Sequence, residues 1–207
     1  FAVDLWAKAQ NCAVLEPERI KRVSGALLAG QTVRYWSPWP VAGETPAGVK
    51  KADPPEAADF ALTLTPQGEA LHLVPRIGVL GVGCRRGTTA RQLEEAFAAF
   101  CAASDLSPAA VCAAASIDLK KDEPGLAAFC KAHGWPITFY PADELRAVPG
   151  QFTPSAFVAS VTGVDNVCER SAVKASGGTL LLPKTAGGGV TLALAVRPFA
   201  PDWRTEQ

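Results

Sequence analysis

Residues 77–100, IGVLGVGCRRGTTARQLEEAFAAF, decide the fold of the larger part of this chain. The apolar run IGVLGVG is typical of a buried strand. The amphipathic run that follows predicts a helix, because Thr89 and Gln92 have the spacing of a capping box. A similar alternation of strand and helix patterns continues to about residue 200. This alternation predicts an α/β domain with a mixed, partly parallel sheet.

The first 75 residues have a less regular pattern. Residues 36–57 are rich in Pro and Gly, and we interpret them as a linker or surface excursion. The runs DFALTLTP and EALHLVPR predict two strands joined by a turn at Gln67 and Gly68. The sequence therefore predicts an irregular linking region before the α/β domain.

The composition excludes several classes of protein. The chain has 207 residues, and its 20 basic side chains balance its 20 acidic ones. It is therefore not a nucleic-acid polycation, and an anionic partner needs a local basic cluster. No apolar run reaches the about 20 residues that span a membrane, and no signal peptide is visible, so we expect a cytoplasmic protein. The opening FAVDLWAKAQ predicts a fragment of a longer chain.

The cysteines and histidines give no metal-binding pattern. The six cysteines are far apart and form no CxxC pair. We interpret them as buried thiols in a reducing cytoplasm rather than as disulfides. Because His72 and His133 are the only histidines, we expect no histidine-based metal site.

The glycine loop at residues 83–87 is the first candidate site, because ligands of open α/β sheets bind beyond the carboxyl ends of the strands. One interpretation is a tight turn, with Arg85 and Arg86 in solvent or paired with Glu94 and Glu95. The other is an anion site made by backbone amides and two guanidiniums. Adjacent arginines at the positive end of a helix favour the anion site.

Two further segments follow predicted strands. Asp118 lies one step beyond an apolar strand and is the better candidate for a general base, with Glu123 second. For Lys121 and Asp122 the pattern favours a solvated charge run. Lys184, beside three glycines, belongs either to a simple hairpin turn or to a contact with a substrate carboxylate.

The polar residues between the last helices have simpler interpretations. The run TPSAF is typical of a helix start, and Ser155 lacks a histidine that would activate it as a nucleophile. Asn166 and Glu169 have the spacing of a second capping box. That cap leaves Asp165 without a predicted partner.

Four motifs, taken in order, resemble the C-terminal domain of the CbiG family. They are GVGCRRGTT, SIDLKKDEPGL, TPSAFVASVTGVDNVCERSA and LLLPKTAGGGVTLALA, and together they cover residues 76–198. The resemblance divides the chain into three parts. Residues 1–15 are similar to the tail of a truncated N-terminal domain, 16–75 to the middle region, and 76–200 to the C-terminal α/β domain.

The resemblance implies the cobalt-precorrin-5A hydrolase activity of anaerobic cobalamin (vitamin B12) biosynthesis. That reaction opens a δ-lactone on the macrocycle and releases acetaldehyde, giving cobalt-precorrin-5B. The expected partner is the anionic cobalt-tetrapyrrole substrate, which carries the cobalt, so no separate cofactor, nucleic acid or membrane is expected. Contacts with other pathway enzymes or with a second copy are also implied. A related stand-alone domain, CobE, supports the alternative of a non-catalytic tetrapyrrole-binding or hand-over module.

The residues expected to act on this substrate follow from its peripheral carboxylates and its lactone. We expect Asp118 or Glu123 as the base, and Lys120 or the amides of residues 83–87 as oxyanion donors. The expected substrate-binding residues are Gly83, Cys84, Arg85, Arg86, Gly87, Thr153, Ser155, Asp165, Asn166 and Lys184, with no metal ligand.

Overall fold

The computed structural model describes residues 1–204, without the side chains of residues 156 and 157. The chain divides into two units. The first unit contains residues 1–76, 105–110 and 199–204. The second unit contains Ile77–Ser104 and Val111–Pro198. In the described range no helix combines the length and the apolar content that a membrane crossing requires.

The first unit is built on a sheet of five strands. In their order across the sheet they are β1 (Cys12–Val14), β5 (Leu71–Pro75), β4 (Phe60–Leu62), β2 (Val33–Trp36) and β3 (Val49–Lys51). Only β1 runs antiparallel to its neighbour; the other pairs are parallel. Trp6 and Trp203 stack in its core, with ring centroids 4.6 Å apart. The α-helices of this unit are α1 (Val3–Ala9) and α2 (Ile20–Leu28).

The first unit confirms one expectation and corrects another. The two strands predicted on either side of Gln67 and Gly68 are present as β4 and β5, with a turn at residues 68–69 between them. They run parallel, with Phe60 opposite Leu71, so the connection is not a hairpin. Both strands are buried along their whole length, as is usual for parallel strands. Residues 36–57 are also more than a linker, since they contain β3, which pairs with β2.

The second unit contains the predicted mixed sheet. Its strands are β6 (Gly78–Cys84), β7 (Val111–Ile117), β8 (Ile137–Tyr140), β9 (Thr179–Gly187) and β10 (Val190–Val196). Their order across the sheet is β8-β7-β6-β10-β9. The strands β6, β7 and β8 run parallel, and β10 is antiparallel to both of its neighbours. Its helices are α3 (Ala90–Ala103), α4 (Pro124–His133), α5 (Ala142–Arg146), α6 (Ala156–Thr162) and α7 (Val167–Ser176).

Local sequence signals fix the ends of several helices in this unit. The Thr89 hydroxyl accepts from the Gln92 amide at 3.2 Å, and the Gln92 side chain accepts from the Thr89 amide at 2.9 Å. The predicted capping box of α3 is therefore confirmed. Helix α4 ends at Gly134, whose φ of 68° is the left-handed conformation that glycine adopts readily.

Helix α7 lies directly on the sheet because β6 has a glycine beneath it. A Cβ atom on Gly81 would overlap the carbonyl oxygen of Cys168 and press on the Cβ of Ala172. Residue 81 is buried, so nothing larger fits between the strand and the helix without displacing one of them. The close approach sets the position of the amino end of α7 relative to the strands.

Candidate functional site

Three of the predicted site segments lie at one edge of the sheet in the second unit. The parallel strands β6, β7 and β8 all end at this edge, and the hairpin between β9 and β10 turns there, since Val190 pairs with both Cys84 and Gly187. The segments 84–89, 118–123 and 187–189 therefore lie at this edge, as expected for strand ends of an α/β sheet. Lys184 lies further from the edge, inside β9, because residues 183 and 184 are opposite Ala193, which pairs with Gly81 in the middle of β6.

The glycine loop after β6 holds both arginines in solvent. The Arg85 amide donates to the Gly189 carbonyl at 3.0 Å, and the Thr88 hydroxyl donates to the Arg85 carbonyl at 2.8 Å. Both guanidiniums are exposed, and neither forms an ion pair with any residue that the structure describes. The loop therefore presents Arg85 and Arg86 as unpaired positive groups.

The predicted partners Glu94 and Glu95 are bound elsewhere. Glu95 accepts from Arg91 at 2.8 Å, and Glu94 lies 2.7 Å from the Nε2 atom of His133. The loop arginines Arg85 and Arg86 therefore do not pair with these two carboxylates.

The carboxylate of Glu123 fills the backbone-amide site of the glycine loop. Its Oε2 atom accepts from the Gly87 amide at 2.9 Å, and its Oε1 atom accepts from the Lys120 ammonium at 3.2 Å. The Gly87 hydrogen bond, with smaller contributions from Lys120 and Arg86, lowers the pKa of the Glu123 carboxyl against the opposing effect of burial. Because Glu123 is only 8% exposed and stays ionised, its geometry favours holding the loop over accepting a proton.

Asp118 has a different environment from Glu123, although both follow β7. It begins a single-turn 3₁₀ helix, Asp118–Lys120, and is half-buried. Among residues 1–204 its carboxylate has no hydrogen-bond or ion-pair partner. Leu119 beside it is 61% exposed. Asp118 is therefore an available carboxylate next to the end of β7, whereas Asp122, which also lacks such a partner among residues 1–204, is exposed and lies four residues further on.

Gly83 and Cys84 have structural reasons for their positions at the end of β6. A Cβ atom on Gly83 would overlap the hydroxyl of Thr191 on β10, so the cross-strand contact requires glycine. Burial raises the pKa of the Cys84 thiol, and Glu123 adds to this effect while Lys120 and Thr88 oppose it. The thiolate is therefore disfavoured at neutral pH, which argues against Cys84 as a nucleophile.

Glu169 is the functional candidate that sequence reasoning missed. Its side chain does not close a capping box, although Asn166 does cap α7 by accepting from the Glu169 amide at 2.9 Å. Instead, the fully buried carboxylate accepts from the Thr153 amide and hydroxyl at 2.8 and 2.9 Å and from the Lys184 amide at 2.7 Å. The signal in the sequence was a charged residue directly after Cys168, a thiol that the sequence already predicts to be buried.

Ser155 and Asp165 are engaged in local structure. The Ser155 hydroxyl accepts from the Val158 amide at 3.4 Å and caps α6. Asp165, for which the sequence predicts no partner, accepts from Arg170 at 2.9 Å. The guanidinium of Arg170 also donates to the Val148 carbonyl at 3.0 Å, so this ion pair anchors the segment before Thr153.

The histidines and cysteines are not gathered into one place. His72 lies 2.9 Å from Glu16 in the first unit, and His133 belongs to the second. Within the described part of the chain, no group of three or more His, Cys, Asp and Glu side chains is arranged to hold a metal ion. All six cysteines are free thiols.

Comparison with known proteins places the chain in a biosynthetic family. The family model "Cobalamin biosynthesis central region" matches residues 1–80, and the model "Cobalamin synthesis G C-terminus" matches residues 78–195. The chain is 36% identical over 126 residues to the cobalt-precorrin-5A hydrolase of Priestia megaterium and 37% identical over 124 residues to that of Salmonella typhimurium. Each match covers 60% of this chain but only 33% and 35% of the relative, so the chain matches about a third of each hydrolase's length.

Proteins named CobE are also similar. The CobE protein of a Sinorhizobium species is 31% identical over 120 residues, covering 56% of this chain and 78% of the relative. The crystal structure of CobE, described as a protein of the cobalamin biosynthetic pathway, superposes with a TM-score of 0.55 and 32% identity over 60% of this chain and 93% of that one.

A further solved structure extends the likeness in fold to nearly the whole chain. A cobalamin biosynthesis protein G homologue from Sulfolobus solfataricus matches with a TM-score of 0.51, covering 96% of this chain and 61% of that chain. At 16% identity this likeness concerns the fold alone. The two family models together extend from residue 1 to residue 195, and the C-terminal one matches more than half of the chain. The chain therefore belongs to the CbiG family of cobalamin biosynthesis proteins.

Proposed function

We propose that this chain is the central and C-terminal part of a cobalt-precorrin-5A hydrolase, and that its second unit binds the anionic macrocycle. Two relatives at 36% and 37% identity carry that name. The observation that carries the proposal is the pair of exposed guanidiniums, Arg85 and Arg86, unpaired within the described residues, at the carboxyl edge of the sheet.

The basic groups at this edge suit a ligand with many carboxylates. A chain with 20 basic and 20 acidic residues has no overall attraction for anions, so binding must come from local groups. Arginine binds carboxylates through paired hydrogen bonds, each stronger than a neutral one. Lys184 is the third basic group; it is half-buried on β9, three residues before the strand ends at Gly187. These three residues are our proposed carboxylate clamps.

Asp118 is our proposed base, since its carboxylate lacks a partner within the described residues. It takes a proton from water, and the resulting hydroxide attacks the lactone carbonyl, which then expels the ring oxygen as an alcohol. Removal of the alcohol proton allows the neighbouring carbon–carbon bond to break. The alcohol carbon leaves as acetaldehyde, and the electron pair left on the macrocycle takes up a proton. The sum is addition of one water and loss of one acetaldehyde.

Glu123 and Lys120 have a supporting role in this proposal. They bind each other at 3.2 Å, and Glu123 also binds the Gly87 amide, so this amide is not left for an oxyanion. We assign the two residues to holding the loop that carries Arg85 and Arg86. The exposed guanidiniums are then the donors for both the carboxylates and the developing oxyanion.

The test is the release of acetaldehyde from cobalt-precorrin-5A. The chain is assayed alone and as a chimera in which residues 78–195 replace the matching segment of the Salmonella typhimurium hydrolase, except that positions 105–110, which belong to the first unit, keep the hydrolase's own residues. Acetaldehyde from either protein supports the hydrolase. Binding of the macrocycle without acetaldehyde from the chimera would overturn it.

A second candidate is a tetrapyrrole-binding or hand-over module like CobE. The observation that favours it is coverage, since the chain aligns with 78% of a CobE protein but with about a third of each hydrolase. Such a module would bind the macrocycle at the same edge and leave it chemically unchanged. The chimera distinguishes the two candidates, because only a catalytic segment restores acetaldehyde release.

A further inference from the structure

Glu169 joins three parts of the second unit that are distant in sequence. It lies in the first turn of α7 and is 0% exposed. Its carboxylate accepts three hydrogen bonds, two from Thr153 and one from the amide of Lys184. The Asn166 side chain donates to the Thr153 carbonyl at 2.9 Å. The segment before α6, the start of α7 and the Lys184 position within β9 are therefore held by one carboxylate and its helix cap.

The hydrogen bond to Lys184 follows from an irregularity in β9. Leu192 of β10 pairs with Thr185, and Leu194 pairs with Leu182, so two residues of β9 lie opposite one residue of β10. Pro183 has no amide proton, and the bulge takes the Lys184 amide out of the regular ladder. Glu169 accepts this amide at 2.7 Å. The carboxylate thus stabilises a bulge that holds Lys184 on the outermost strand of the sheet.

The Lys184 ammonium is held by the same group of residues. It donates to the Thr153 carbonyl at 3.3 Å, and Thr153 is itself held by Glu169. A buried carboxylate without an ion pair is unfavourable compared with an apolar side chain, and no ion pair to Glu169 is present in the described residues. The carboxylate of Glu169 is therefore better explained by the Thr153 and Lys184 groups that it binds than by a gain in the stability of the fold.

We propose that Glu169 is a positioning residue for the tetrapyrrole site. By fixing the backbone of Lys184 and the carbonyl that its ammonium contacts, Glu169 sets the position of the third basic group on β9. The hairpin that joins β9 to β10 accepts the Arg85 amide hydrogen bond at the Gly189 carbonyl, so the same hairpin connects Lys184 to the arginine loop. A macrocycle with carboxylates around its rim then contacts Lys184 as well as the two loop arginines. This inference rests on the proposed function for its ligand and names Glu169 as a determinant of its affinity.

The test is a binding titration with uroporphyrin III, an octacarboxylate tetrapyrrole, followed by porphyrin fluorescence. Glu169→Gln places an amide donor against the donors that the carboxylate now accepts, and we expect the Kd to rise about tenfold. Lys184→Ala should raise the Kd similarly, and the double variant should be no weaker than Lys184→Ala. Glu144→Gln is the matched control, since Glu144 pairs with Lys174 at 3.0 Å on the surface, and its Kd should equal that of the wild type.

The outcomes separate this inference from the proposed function. If the wild type does not bind uroporphyrin III, both are overturned. If the wild type binds, but Glu169→Gln binds equally well at a temperature where it is folded, only the positioning role is overturned. Additive losses in the double variant would also overturn it.

A second pair of variants keeps the test decisive if Glu169→Gln does not fold. Thr153 is exposed, so substitutions there are tolerated more easily. Thr153→Val removes the hydroxyl that donates to Glu169 and should raise the Kd about threefold, whereas Thr153→Ser keeps the hydroxyl and should restore it. Equal affinity of the Val and Ser variants would overturn the positioning role.

Discussion

Glu123 lies 36 residues beyond Gly87 in the chain, yet its carboxylate accepts the Gly87 amide hydrogen bond at 2.9 Å. The loop that presents two arginines is therefore organised by an acid of the same chain. A Cβ atom on Gly125 would overlap the Thr88 carbonyl, so the start of α4 also lies directly against this loop. The loop is held from one side, and its guanidiniums point to solvent on the other.

The hydrogen bond to Gly87 should make stability depend on pH through Glu123. Because the pKa of Glu123 is lowered in the folded protein, its contribution is complete above the unfolded carboxyl value of about 4.3 and is lost as the pH falls through the folded value. We expect Glu123→Gln to lower the free energy of unfolding by about 1–3 kcal/mol at pH 7, and the difference from wild type to shrink towards pH 3. Urea unfolding at several pH values measures this. Exposed Asp122→Asn is the control, and a difference independent of pH would contradict the prediction.

The two loop arginines should control affinity for polycarboxylate tetrapyrroles. Replacing both by alanine should raise the Kd for uroporphyrin III about tenfold or more and make binding less sensitive to salt, since each charge-assisted hydrogen bond contributes roughly 1.5–3 kcal/mol. Arg91→Ala is the matched control, because Arg91 pairs with Glu95 on the exposed face of α3. Unchanged affinity in the double variant would reject the clamp role of Arg85 and Arg86.

Asp118 should be needed for turnover but not for binding. In whichever protein releases acetaldehyde, the chain or the chimera, Asp118→Asn should reduce the rate about 100-fold or more while the Kd stays the same. Asp122→Asn, four residues further on and exposed, should keep the wild-type rate. A wild-type rate in Asp118→Asn would remove Asp118 from the mechanism.

Gly81 should not tolerate a side chain, because α7 lies on β6 at this point. We expect Gly81→Ala to lower the free energy of unfolding by about 3 kcal/mol, since the helix must move to make room for the new methyl group. Gly187→Ala is the control, since a Cβ atom there meets no atom within 4 Å. Thermal unfolding measures both, and equal melting temperatures would show that α7 can move without loss.

The parts of the fold that depend on local signals could be predicted from the sequence. The Thr89 cap, the glycine that ends α4 and the apolar strands of the second unit all act within a few residues. The two strands on either side of Gln67 and Gly68 could also be predicted, but their parallel direction could not, because strand direction depends on partners that spacing does not reveal. The strand β5 pairs with β4 on one side and with β1 on the other, and β1 is more than 50 residues earlier in the chain.

The candidate site shows the same division between local and distant causes. The sheet-edge rule predicted that the segments at Arg85, Asp118 and Lys184 share one edge. This holds for Arg85 and Asp118, whereas Lys184 lies inside β9, three residues before the strand ends. The rule could not predict that the Glu123 carboxylate accepts from the Gly87 amide. It also could not predict that the Glu169 side chain binds Thr153 and Lys184 instead of closing the capping box of α7. Those bonds join residues 15 or more positions apart, so only the packing of α4 against α3 and of α7 against the sheet reveals them.

The first unit is assembled from three separate stretches of chain. Residues 105–110 belong to it although they interrupt the second unit, and the Ser107 amide donates to the Leu64 carbonyl at 2.8 Å. The chain therefore passes between the units after residues 76, 104, 110 and 198. A fragment beginning at residue 77 would carry an internal segment that has lost its partner strands. A recombination event that exchanged the C-terminal part of the chain from residue 77 would also exchange residues 105–110. The new segment would then have to fit the central region of the recipient protein, because it belongs to the first unit.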